Sequence, residues 1–318
     1  MPVPTPSSFI GVAKEVTRGT ALAATDYIPV TTLNSPNDMY HTVSDTGFRG
    51  APVVSFDELP TQAWAEPSYG GNVYVDSIGF WLNCLFGVDT VGAAVSGVYP
   101  HTFTALTTGD FQPPSYCISD YNGVDTRQIP GFLVSELAFQ FTATGLLTYT
   151  VKGLGFKSAE TSNPTPGYTA ERAIQGWSGV TTLGGGATSI MQDGSIAITR
   201  VVETIPTIGQ QDPYRIWGGA VGITGQMNLV FENTTEFARY TGGTSTTLDI
   251  NFFRGAAATL RGIRFIMSKV LYTAATPTRS KSYVELPITF SAVANTTDAL
   301  SRYGPGQVQL QNTRSAAY

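Results

Sequence analysis

The chain has 318 residues, 42% hydrophobic and only 13% charged, about half the usual charged share of ~25%, so it has material for two domains or one large one but a weakly charged surface. The net charge of −5 argues against a protein held to nucleic acid through phosphate contacts, and no apolar run approaches the ~18 residues of a membrane span. Cys84 and Cys117 show no CxxC or Cys/His spacing, which leaves neither a disulfide framework nor a zinc site and points to free, buried thiols of a chain folded in a reducing cytoplasm.

The start, MPVPTPSS, is Pro-rich and reads as extended; it lacks the basic and apolar regions of a signal peptide. Phe9–Thr17 reads as a first strand or arm, and Asp26–Leu33 as a further extended segment. Asn34–Gly71 is long and irregular, punctuated by Pro36, Gly47, Gly50, Pro52, Pro60, Pro67 and Gly70. Loops of that length are functional or disordered, and Tyr40, Phe48, Phe56, Trp64 and Tyr69 are too many aromatics for disorder. The segment therefore reads as an arm that lies on another surface.

Asp76–Phe86 reads as a helix: Asp76 caps it, Ile78, Leu82, Leu85 and Phe86 form a stripe beside Trp81, and Gly87 suits the position after its end. Strands follow at Tyr99–Leu106 and Tyr116–Tyr121. In Gly131–Phe156, Leu137, Phe139 and Phe141 alternate with Glu136, Gln140 and Thr142, and the pattern resumes after a turn at Thr144-Gly145. Period two over this length marks a hairpin of long, half-buried strands. Ser158–Tyr168 has the composition of a linker, and Gly184–Gly186 that of a flexible turn.

The rest alternates in the same way at Gly194–Val202, Gly218–Asn233, Thr246–Phe253, Leu260–Lys269 and Tyr283–Ala292, with a short helix over Thr234–Tyr240. Strands and a helix in each half suggest a duplicated domain, 1–160 with the arm 34–71 and the helix 76–86, and 161–318. Charge divides unevenly: residues 1–157 hold 6 Lys/Arg against 13 Asp/Glu, residues 158–318 hold 12 against 10. Head-to-tail association, acidic part on basic part, is one consequence; two differently charged surfaces is the other.

Enzymatic chemistry finds little footing. His41 and His101 are the only histidines, Gly176-Trp177-Ser178-Gly179 lacks the spacing of a nucleophile elbow, and no GK[ST] follows Gly184–Gly186. His101, within a Thr/Phe strand, reads as structural. Asp57-Glu58 lacks the spacing of a calcium loop. No catalytic residue, metal ligand or cofactor is assigned, and the chain reads as a non-enzyme.

Several stretches together carry a resemblance. They are Glu15-Val16-Thr17-Arg18-Gly19-Thr20, Gly47-Phe48-Arg49-Gly50, the apolar helix ending in Leu85-Phe86-Gly87, and Tyr99-Pro100-His101-Thr102-Phe103-Thr104. Later come Asp193-Gly194-Ser195-Ile196, Gln211-Asp212-Pro213-Tyr214, Ile223-Thr224-Gly225, Ala294-Asn295-Thr296-Thr297-Asp298 and the closing Gly304-Pro305-Gly306-Gln307-Val308-Gln309-Leu310-Gln311-Asn312. In this order they resemble the major tail tube proteins of long-tailed, non-contractile bacteriophages, the roughly 300-residue type of actinobacterial phages.

The resemblance implies a mainly β fold: a tail-tube-type β-sandwich with a flanking helix, whose strands join those of neighbours into a ring-shaped β-barrel. It implies a structural virion protein, made in the host cytoplasm, whose rings of six domains stack into the conduit for double-stranded DNA. Three duplicated chains supply a ring, with six single ones as the alternative. Implied partners are further copies of itself, a tape measure protein, and tail terminator and distal tail proteins; DNA passes without specific binding, and no membrane is involved. Glu136, Gln140, Gln226, Asn228 and Glu232 are candidate lumen positions on the strand faces turned from the core. Tyr40, Phe48, Phe56, Trp64 and Tyr69 are candidate contacts between rings, with the Pro-rich start and the tail after Ala299 as alternatives. A carbohydrate-binding or adhesive β-sandwich stacking sugars on Trp64, Trp177 and Trp217, a capsid cement protein and a β-sandwich hydrolase are the competing readings.

Overall fold

The structure is a computed structural model that describes residues 4–255, 259–299 and 302–318. Of the Pro-rich start, residues 1–3 lie outside the described residues, as do 300–301 of the tail after Ala299. In chain order the first half holds β1 Phe9–Lys14, β2 Asp26–Ile28, β3 Thr32–Asn34, β4 Asp38–Asp45, β5 Asp57–Ala65, β6 Ser68–Asn72, helix α1 Gly79–Phe86, β7 Gly87–Val91, β8 Tyr99–Ala105, β9 Tyr116–Tyr121, β10 Thr126–Thr142 and β11 Thr148–Leu154. The second half holds β12 Ala159–Thr161, β13 Gly179–Leu183, β14 Gly186–Thr188, β15 Met191–Ile205, β16 Arg215–Val230, helix α2 Thr235–Thr241, β17 Thr246–Arg254, β18 Arg261–Ala275, β19 Glu285–Ala292 and β20 Gln307–Asn312.

Two long strands organise the sheets, and each changes partners along its length. Thr126–Phe132 of β10 pairs with β9, which continues to β1 and β2, and Thr126–Gln128 takes β12 on the other side. The register shifts between Ile129 and Phe132, where Gly131 has a φ of +67°. Such a φ favours glycine, and the bend lets the second half of β10 enter another sheet. There it pairs with β11 and β15, in the order β3–β6–β11–β10–β15–β16–β19–β18.

β18 repeats the device. Its Val270–Ala275 pairs with β19, whereas Gly262–Ile266 pairs with β20. This first part belongs to a second layer, β14–β13–β17–β18–β20–β8–β7. The layers meet face to face, with Phe139 against Phe265 at 4.9 Å between ring centroids and Phe141 against Phe252 at 5.2 Å. The result is a β-sandwich of antiparallel strands. Each Leu, Ile or Phe it buries contributes about 1.5–3 kcal/mol.

No succession of these pairings returns to its starting strand, so the sheets are open and one chain holds no closed barrel among the described residues. Strands from either side of residue 160 lie next to one another: β10 pairs with β15, and β8 with β20. Their buried side chains form one core.

The helix begins later than the capping pattern predicts. Asp76 lies ahead of it, its carboxylate accepting from Thr313 at 3.3 and 3.4 Å, and the residue before the first turn is Ile78, without a side-chain cap. Gly87 ends the helix at φ +95°, as the sequence suggests. All eight residues of α1 are buried, so its stripe is not its only packed surface. The Tyr318 ring lies against Gly79 so closely that a Cβ there would stand 2.2 Å from it.

Two other expectations change. Asn34–Gly71 is not irregular: β4 and β5 form a two-stranded antiparallel sheet of their own, and β6 belongs to the sandwich. The closing segment is a strand, β20, inserted between β18 and β8. Gly184 and Gly185, at φ +58° and +83°, make the tight turn between β13 and β14.

Candidate functional site

The sheet β6–β11–β10–β15–β16–β19 buries one face against the second layer and leaves the other polar. Register aligns the uncovered side chains in rows across the strands. One row is Asn72, Thr148, Gln140, Ser195, Gln226 and Thr289. The next is Gly70, Thr150, Ala138, Ala197, Thr224 and Ser291. Period two sets this arrangement: where Ile196, Ile198 and Met227 turn to the core, Ser195, Ala197, Thr199 and Gln226 must turn away.

Four of the five candidate lumen residues share this face. Gln140 and Gln226 are exposed and sit in one row, both beside Ser195. Glu136 is half-buried and faces Lys152 across β11, with Nζ 2.8 Å from its carboxylate. Asn228 lies opposite Asp193 and donates to Glu285 at 3.4 Å. Glu232 is exposed beyond the end of β16, outside the aligned rows. The hydroxyl residues Thr148, Thr150, Ser195, Thr199, Thr224 and Thr289 belong with the four; the complement of each buried alternation marks them in the sequence.

The charge of the face is low. Glu136 is paired with Lys152 and Glu285 with Lys281, and Asp193 is a third carboxylate on this face. A surface of hydroxyls and amides offers short, neutral hydrogen bonds and no fixed field strong enough to hold a polyanion. Its phosphate repulsion is weaker than the acidic balance of the whole chain suggests.

The five arm residues separate. Tyr40 is exposed on β4, with Lys157 Nζ 5.0 Å from its ring centre. Phe48 is fully exposed at the tip of the β4–β5 hairpin. Phe56 is half-buried beneath the Arg49 guanidinium, 4.9 Å from the ring centre. Trp64 is half-buried, its Nε1 donating to Glu66 at 2.7 Å. Tyr69 lies in the core instead, stacked on Trp81 at 5.8 Å, with its hydroxyl 2.9 Å from Ser35 Oγ. The hairpin is rooted at its base: Asp38 accepts from the Ser158 N–H at 2.9 Å and its Oγ at 2.6 Å, and Ala63 N–H donates to Gln211 at 3.2 Å. Beyond that base its strands pair, among the described residues, only with one another.

The residues considered for other chemistry are structural. His101 is fully buried, Nδ1 bonded to Asp89 at 3.0 Å and Nε2 at 2.9 Å from the Arg314 carbonyl. Burial pushes the Cys84 thiol up to about 12 and the Cys117 thiol up to about 11, so neither is a nucleophile at neutral pH. Trp64, Trp177 and Trp217 lie on β5, ahead of β13 and on β16, and do not stack on one another.

A family model described as "Phage tail tube protein" matches residues 7–292, nearly the whole chain. No curated protein matches the chain. The chain belongs to the phage tail tube protein family, and it is a structural protein of the bacteriophage tail.

Proposed function

Taking this tail tube protein as the premise, we propose that it forms rings stacked into the tube through which double-stranded DNA leaves the virion, with the β6–β11–β10–β15–β16–β19 face lining the lumen. The observation that carries this reading is the sheet itself: one face buried, the other a broad hydroxyl and amide surface of little charge. DNA slides along such a wall because its Lys152 is paired with Glu136 and no cluster of cations stands on it to hold a phosphate. Gln140, Gln226, Glu136 and Asn228 face the lumen in this arrangement, and Glu232 stands at its rim.

Open sheet edges are a hazard for a free chain and an opportunity in a ring, where each edge pairs with the next copy. Joined in this way, the sheets close into the ring-shaped barrel that no single chain contains. With the six strands of this face from each chain, six copies give about 36 strands and, at ~4.8 Å per strand, a circumference of about 170 Å, wide enough for a duplex. The single core shared by residues 1–160 and 161–318 favours one tube unit per chain, hence six copies per ring rather than three. Tyr40, Phe48, Phe56 and Trp64 on the β4–β5 arm make the contacts between rings. A tape measure protein occupies the lumen during assembly, and terminator and distal tail proteins cap the two ends.

Electron microscopy of the purified protein across concentration tests this. Stacked rings with an open channel, at a ring mass of six times 33.8 kDa, are the expected result. A chain that stays monomeric when concentrated with its tape measure protein refutes it.

A further inference from the structure

Beside the lumen sheet the chain holds a buried cation without a partner. The register of β15 and β16 shifts between Arg200 and Val202, and Arg200 turns inward on the side of Ile196 and Ile198. Its side chain is 4% exposed and lies along Gly218, where a Cβ would stand 3.3 Å from its Cδ and Nη1. Among the described residues neither its Nε nor its Nη1 meets a hydrogen-bond partner. Burial pushes the guanidinium down to about 10, and nearby Arg18 acts in the same direction. An unpaired buried guanidinium costs several kcal/mol, so the free chain carries a penalty that an incoming anion would relieve.

Arg200 also lines an open cavity of about 400 Å³. Phe111, Trp217 and Tyr303, all at least 37% exposed, stand around it. Its one carboxylate, Asp110, accepts from the Gln112 N–H at 3.1 Å. The site is thus cationic at its base and aromatic at its rim.

The tip of the β4–β5 arm has the complementary chemistry. Asp45, Asp57 and Glu58 face a single cation, Arg49, which is paired with Asp45. The Asp57 carboxylate accepts from the Glu58 N–H at 2.8 Å. No hydrogen bond or ion pair engages the Glu58 carboxylate among the described residues. Phe48 and Val54, at 106% and 89% exposed, lie in the same turn between β4 and β5. Strands of eight and nine residues carry the tip about 27 Å from its base at ~3.4 Å per residue, far enough to reach another copy.

We propose that the Arg200 cavity is the socket for the β4–β5 tip of a second copy, with Glu58 pairing to Arg200 and Phe48 packing among Phe111, Trp217 and Tyr303. The socket rests on the reading that copies assemble into rings and tubes. It gives the uneven charge of the chain a place: acid on the arm in the first half, Arg200 in the second.

Arg200→Met and Glu58→Gln, singly and together, test it on the full-length protein. Folding is read by denaturation of the monomer, and assembly by sedimentation and electron microscopy. Arg200→Met removes the unpaired charge, so the monomer is at least as stable as wild type, yet the concentration needed for assembly rises at least tenfold. Glu58→Gln raises it similarly, and the double variant is no worse than Arg200→Met alone. Wild-type tubes together with Arg200→Met tubes at the same concentration overturn the socket and leave the tube reading standing, as do single effects that multiply in the double variant. A wild-type chain that forms no rings overturns both.

Discussion

Glu15 is the residue whose loss should propagate furthest into the β6–β11–β10–β15–β16–β19 sheet. Its side chain is 8% exposed, and its carboxylate accepts from the Gly131 N–H at 2.7 Å, the Gly19 N–H at 2.8 Å and the Ser115 hydroxyl at 2.6 Å. Both glycines have positive φ and press against the Phe156 ring, where a Cβ would stand 2.4 Å away at Gly131 and 2.7 Å at Gly19. Gly131 is the bend at which β10 passes from one sheet to the next. Glu15→Ala leaves two backbone donors in this crowded site without an acceptor, at about 1–3 kcal/mol each, while the Ser115 hydroxyl rotates to another partner. The expected loss is about 2–6 kcal/mol, a large part of the ~5–15 kcal/mol of an ordinary domain. Glu15→Gln retains one acceptor and sets an amide donor against the other N–H, for about half that loss. Denaturant unfolding measures both, and the midpoint falls while the slope stays unchanged. A loss below about 1 kcal/mol for Glu15→Ala would refute the clamp, because buried donors cannot be abandoned that cheaply.

Stability should be lost on the alkaline side. Burial raises the thiols of Cys84 and Cys117 from 9.0 to about 12 and about 11, and raises Tyr69, Tyr116, Tyr149 and Tyr318 in the same direction. The unfolded chain then releases these protons first, so this contribution is complete below pH 9 and declines as pH rises toward 11–12, by up to ~1.4 kcal/mol per pH unit for each group; a flat profile of unfolding midpoints above pH 9 would contradict it. Tyr318→Ala empties a site between Phe80 at 4.9 Å and His101 at 5.2 Å, and should cost about 3–5 kcal/mol in the same unfolding assay. Tyr318→Phe should cost only about 1 kcal/mol, since Asn312 Nδ2 retains the Val75 carbonyl at 2.9 Å. Gln140→Lys with Gln226→Lys, introduced into the phage, should leave tails intact but slow DNA release at low salt, with recovery as salt rises; an unchanged low-salt rate would count against a lumen position.

Alternation was the strongest signal in the sequence, and it located the long strands of the sandwich well. Leu137, Phe139 and Phe141 are buried as their spacing requires, and β9 begins and ends at the predicted Tyr116 and Tyr121. Partners were less legible. β20 sits between β8 and β18, with Leu310 opposite His101 more than 200 residues away, and no local pattern specifies such a neighbour. Asp76 has the residue type of a cap but is drawn off by Thr313 from the far end of the chain. Tyr69 looked like one more arm aromatic, yet β6 is only five residues long and Gly70-Gly71 obscures its alternation. Arg200 keeps the parity of Ile196 and Ile198, so alternation turns it inward, but that its Nε and Nη1 find no partner there depends on residues distant in the chain and leaves no local pattern.

Whether the β6–β11–β10–β15–β16–β19 face lines the channel is decided by cryo-electron microscopy of the assembled tube. The expected map shows a continuous barrel between copies, with Gln140, Ser195 and Gln226 pointing into the lumen and the β4–β5 arm crossing to another copy. A tube in which these side chains face outward, or in which the channel is lined by the β13–β17–β18–β20–β8 layer, would contradict it.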